Sequence, residues 1–99
     1  MRFRRYADFT LPSLDLTGTP ADRLIGALED ALDALNVAWA ALKETAPNAR
    51  DYRWPPELFD RAAQEHRARV AKLESLIREY EALTQAVEEK ADEASKYGD

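Results

Sequence analysis

The sequence predicts an all-α protein: a long antiparallel helical hairpin, with helices at about 20–46 and 56–96, an irregular N-terminal arm over residues 1–19, and assembly into a homo-oligomeric bundle. Three observations carry that reading. Ala, Leu, Glu and Arg predominate and only three glycines occur, a composition of strong helix formers. Apolar residues recur at alternating spacings of three and four in two long runs. Between those runs stand Pro47, Pro55 and Pro56, which neither helix can absorb into its interior.

The arm holds Phe3, Tyr6, Phe9, Leu11, Leu14 and Leu16 among Pro12, Gly18 and polar residues, too apolar a set to stay solvated. In "TGTPADRL" the first helix starts: Thr19 is a capping residue, Pro20 suits the first helical position, and Asp22 favours the positive helix end. Ile25, Leu28, Leu32, Leu35, Trp39 and Leu42 then make one narrow seam, while Asp22, Glu29, Asp30, Asp33 and Glu44 occupy other, solvated faces. Pro47 ends the run near Ala46.

Pro55 and Pro56 open the second helix and Glu57 falls in its first turn. Its seam runs through Phe59, Ala62, His66, Val70, Leu73, Ile77, Tyr80, Thr84, Val87, Ala91 and Ala94, widened by Leu58, Leu76 and Leu83. At 1.5 Å per residue the first helix is about 40 Å long and the second about 60 Å. The excess length of the second helix leaves Leu83 and Val87 in need of a cover. The apolar arm is the nearest one, with Arg2, Arg4 and Arg5 brought near Glu79, Glu81, Glu88, Glu89, Asp92 and Glu93; a second chain is the alternative.

Ninety-nine residues make a single helical domain over 1–99, its hairpin spanning 20–97. The absence of cysteine removes disulfides, thiolate metal sites and a cysteine nucleophile. No run approaches the roughly 18 apolar residues of a membrane span, and "MRFRRYADF" lacks the apolar stretch of a signal peptide. A soluble, cytoplasmic protein without membrane attachment is expected. A net charge of −5 argues against general nucleic-acid binding, which needs clustered positive charge.

Catalysis finds little support in the residues. His66 is the only histidine, no serine has a base partner at a telling spacing, and no glycine-rich phosphate loop exists. Ala63 stands three before His66, where a di-metal bundle places glutamate, so no metal site and no cofactor are expected. His66 itself occupies a seam position, either as a half-buried ring satisfied by a nearby acceptor or as a donor to a ligand at a subunit interface.

The surplus chemistry lies in "NARDYRWPP", residues 48–56. A turn asks for proline and small polar residues, and this one adds two arginines and two aromatics. Residues 79–99 carry seven acids against two lysines, whereas 50–78 are rich in arginine, which makes the connection the electropositive end. Guanidinium groups grip phosphate or carboxylate in two-pronged fashion, and aromatic faces stack on planar rings. The expected ligand site is therefore Asn48, Arg50, Tyr52, Arg53, Trp54, His66 and Arg67: arginines on the negative charge, Tyr52 and Trp54 stacking, Asn48 and His66 hydrogen-bonding. In the plainer alternative Tyr52 and Trp54 seal the end of the core while Arg50 and Asp51 fix the turn.

The stretch "APNARDYRWPPELFDRAAQEHRAR", residues 46–69, resembles small uncharacterised helical proteins of phages and prophages, in which a proline-led "GRDY"-like turn introduces a long Arg- and Glu-rich helix. It covers about a quarter of the chain; Ala49 stands where the pattern has glycine, and Arg53 where it often has a second tyrosine. The resemblance implies a phage accessory setting, in host cytoplasm, where short helical proteins act by occupancy. It supplies no catalytic residues. Two functions are weighed: a non-catalytic homo-oligomeric protein holding or sequestering an anionic, nucleotide-like small molecule, and a helical interaction module that inhibits a host protein or serves as an assembly adaptor.

Overall fold

A computed structural model describes residues 10–12, 14 and 20–97. Among these the protein is all-helical: helix α1 spans Ala21–Lys43, a 3₁₀ turn spans Ala49–Asp51, and helix α2 spans Glu57–Tyr97. The two helices pack against each other. No helix is long and apolar enough to cross a membrane among the described residues.

Each helix boundary has a local cause. The Leu24 N–H donates to the Pro20 carbonyl at 3.0 Å, so Pro20 closes the first turn of α1 and Ala21 is its first helical residue. The capping expected of Thr19 lies outside the described residues. At the other end α1 stops at Lys43, three residues before the predicted Ala46. There the N–H groups of Glu44, Thr45 and Ala46 bond to carbonyls three residues back, and the Thr45 hydroxyl donates to the Leu42 carbonyl at 2.7 Å. The chain tightens into single turns ahead of Pro47 instead of continuing the helix. Helix α2 begins one residue later than predicted, after a Leu58 N–H to Pro55 carbonyl bond of 3.0 Å; the Trp54–Pro55 peptide is cis.

The α1 seam is as the spacing predicts: Leu28 is buried, Ile25, Leu32, Leu35, Trp39 and Leu42 are half-buried, and Asp22, Glu29, Asp30, Asp33 and Glu44 are exposed. On α2, Ile77, Thr84 and Val87 are buried, and every other seam residue from Phe59 to Ala91 is half-buried. Ala94 lies outside the described side chains. The expected widening is corrected at two positions, because Leu58 and Leu76 stay exposed while Leu83 is half-buried. One neighbouring helix covers only a narrow arc of α2, and these two leucines fall at its edge.

The chain divides into two compact units, one of Met1–Asp33 with Arg78–Asp99 and one of Ala34–Ile77. The first holds Leu28, Thr84, Ala86 and Val87, with Val87 only 1% exposed. The Thr84 hydroxyl is satisfied by the Tyr80 carbonyl at 2.7 Å, which removes the cost of burying it. In this unit Lys90 Nζ donates to the Pro12 carbonyl at 2.9 Å, and Leu11 shares a small recess with Ala86 and Lys90. Leu11 and Pro12 thus lie beside α2 of their own chain; the arginines of the arm lie outside the described residues.

Candidate functional site

The second unit contains the connection and a groove beside it. Trp39 and Lys43 are four residues apart on α1 and so share one face. Lys43 Nζ sits 3.9 Å from the centroid of the Trp39 ring, a cation held against an aromatic face. On α2, His66, Val70 and Glu74 repeat at spacings of four and form a matching stripe, with Arg67 beside it. Trp39 Nε1 donates to Glu74 Oε2 at 2.9 Å, which ties the two stripes together. With Ala46 these side chains line an open concavity of about 460 Å³.

Val70, Ala46 and the indole give the groove its apolar lining, and Lys43, Arg67 and Glu74 its charged groups. One Glu74 oxygen is already engaged by the indole N–H. Arg67 is exposed and has no carboxylate partner among the described residues, whereas Arg69 pairs with Glu65 at 3.9 Å. Lys43 is exposed, with its ammonium against the ring face and no carboxylate partner among the described residues. The His66 ring is half-buried. Two cations without carboxylate partners beside an apolar, aromatic wall suit an anion that carries a flat, uncharged part.

The predicted site residues divide between two places. His66 and Arg67 line the groove. Asn48, Arg50, Tyr52, Arg53 and Trp54 belong to the connection, and none of them lines it. There Asn48 caps the 3₁₀ turn: its Oδ1 accepts from the Arg50 N–H at 2.9 Å, and its carbonyl accepts from the Asp51 N–H at 2.9 Å. The Tyr52 N–H closes the turn on the Ala49 carbonyl at 3.1 Å. Arg50 and Arg53 are exposed, Tyr52 is half-buried, and Trp54 is 80% exposed, so its indole does not seal the core.

Trp39, Lys43, Ala46, Val70 and Glu74 were not among the predicted site residues. The Trp39–Lys43 spacing was visible as an aromatic and a cation one turn apart, but Trp39 was already assigned to the seam. Nothing local in the sequence joins Glu74 to a residue 35 positions earlier. No group of three or more His, Asp and Glu side chains is placed to hold a metal ion among the described residues. No protein-family model, curated protein or solved structure matches the chain.

Proposed function

We propose that the chain is a non-catalytic, homo-oligomeric binding protein that holds an anionic, nucleotide-like small molecule in the Trp39 groove, in the phage accessory setting that the resemblance implies. One observation carries the reading: Lys43 and Arg67, neither paired with a carboxylate among the described residues, line a concavity of about 460 Å³ together with the Trp39 indole and Val70. That volume falls within the roughly 300–1,000 Å³ typical of small-molecule sites. Arg67 and Lys43 take the negative charge, His66 hydrogen-bonds, and the planar ring lies against Trp39 and Val70. Arg50 and Arg53 on the connection add positive field, Tyr52 and Trp54 offer further stacking surface, and Asn48, whose oxygen caps the turn, offers its amide N–H groups.

Calorimetry and thermal melting against a panel of cyclic and linear nucleotides test this reading. A saturable heat that falls at least about tenfold in affinity in Lys43→Ala/Arg67→Ala supports it, since each charge-assisted contact is worth about 1.5 kcal/mol or more. No heat and no melting shift across the panel overturns it.

A second reading, an interaction module that occupies a host protein, draws on Trp54 at 80% and Val37 at 70% exposure, large apolar side chains of the kind that anchor interfaces. A stoichiometric host partner retained by Lys43→Ala/Arg67→Ala and lost by Trp54→Ala favours it over ligand binding.

A further inference from the structure

We propose that Glu74 selects the base of the ligand: the groove takes a nucleotide whose ring offers two adjacent N–H donors on one edge, as guanine does, and the Glu74 carboxylate receives them. The inference rests on the nucleotide reading of the groove and names the ligand class within it.

The charges of the groove ask for a ligand with two unlike ends. Among its lining residues Lys43 and Arg67 are cations and Glu74 is an anion. The cations suit a phosphate, whereas Glu74 repels one at close range. The carboxylate is also half-buried, and covering it further with a ring that returns no hydrogen bond costs free energy. A molecule that is negative at one end and rich in donors at the other satisfies all three groups.

The Trp39 contact sets where the donors belong. An indole N–H lies in the plane of its ring, so the 2.9 Å bond from Nε1 to Oε2 puts the carboxylate at the edge of the Trp39 ring and not over its face. A flat ring stacked with an offset on the indole presents its own edge to the same carboxylate. Arg67 stands seven residues before Glu74 on α2, about 10 Å along the helix axis. That separation leaves room for a sugar between a base at Glu74 and a phosphate at Arg67.

The number of vacant acceptor sites favours two donors. An ionised carboxylate has about four such sites, and the indole uses one of them. Oε1 receives no hydrogen bond among the described residues. Guanine carries a ring N–H and an amino group side by side, a pair that meets a carboxylate in two-pronged fashion and is strengthened by its charge. Adenine sets an acceptor nitrogen beside its amino group, and uracil flanks one N–H with two carbonyls. Both bring lone pairs against Glu74.

Calorimetry of the full chain with the 5′-monophosphates and the 3′,5′-cyclic monophosphates of guanosine, inosine, adenosine and uridine tests the proposal. Within each set the phosphate is constant, and guanosine differs from inosine only by the amino group. The guanosine member is expected to bind about tenfold or more tightly than the others, because a site that hydrogen-bonds a donor discriminates against ligands lacking it. Glu74→Gln keeps an oxygen for the Trp39 N–H and turns the other acceptor into a donor; it should abolish the preference and leave base-independent binding. Lys43→Ala/Arg67→Ala should weaken every member and keep their order. Helicity is checked by circular dichroism for each variant, and the wild-type series is decisive without any variant. Equal affinities for the four bases, or a preference for adenosine or uridine, overturn the inference alone and leave the nucleotide reading standing. A guanosine preference undiminished in folded Glu74→Gln overturns the role of Glu74. No heat with any member defeats the nucleotide reading itself.

Discussion

The indole N–H of Trp39 donates to Glu74 Oε2 at 2.9 Å, joining two helices through residues 35 positions apart. The bond is partly buried, and it leaves the Lys43 ammonium 3.9 Å from the centroid of the same ring. Removing the acceptor strands a partly buried donor. Glu74→Ala is expected to cost about 1–2 kcal/mol, and Glu74→Gln, which keeps an oxygen acceptor, less than half of that. Urea unfolding midpoints at a constant slope measure both; equal losses would contradict a hydrogen-bonding role.

Two valines give the contrast between seam and surface. Val87 is 1% exposed and Val37 is 70% exposed. Val87→Ala is expected to destabilise by about 1.5–3 kcal/mol through lost burial and the cavity left behind, whereas Val37→Ala stays within about 0.5 kcal/mol. Chemical denaturation of the two variants in parallel decides it, and similar losses would mean that the seam is misplaced.

Gly26 sits inside α1, and a Cβ built there meets nothing within 4 Å. Gly26→Ala should therefore stabilise the chain by about 0.5–1 kcal/mol, through a less costly ordering of the helix backbone. A melting temperature raised by roughly 2–8 °C is the expected readout. A fall would point to a close approach at that position by another chain.

The connection separates capping from exposure. Asn48→Ala removes the acceptor for the Arg50 N–H and is expected to cost about 0.5–1 kcal/mol, while Trp54→Ala, at an 80% exposed position, stays within about 0.5 kcal/mol. A large loss in Trp54→Ala would restore the reading in which its indole closes the core.

Local pattern made the helices legible. Ile25 to Leu42 and Phe59 to Ala91 hold a three-and-four alternation that only a helix satisfies, and none of those positions is exposed. The end of α1 was less legible, because Pro47 marks where a helix must have stopped and not where it does; Thr45 stops it sooner. The groove was legible only in part. His66 and Arg67 stood out by residue type, but the groove also needs Trp39, Lys43 and Glu74, and their meeting depends on how the path through the connection sets the register of one helix on the other. Asn48, read as a ligand contact, also caps the turn through its side-chain oxygen, a role that depends on the local backbone path. Leu58 and Leu76 looked like a broader core because spacing reports a helix face and not whether a neighbour covers it.

The central claim, that an anionic ring-bearing molecule enters the groove beside Trp39, is tested most directly by following the two indole N–H resonances during nucleotide titration, with Trp54→Phe used to assign them. The account predicts that the Trp39 signal shifts and saturates while the Trp54 signal moves less, and that Arg67→Ala weakens the response. A titration in which only the Trp54 signal moves, or in which neither does at millimolar nucleotide, would contradict it.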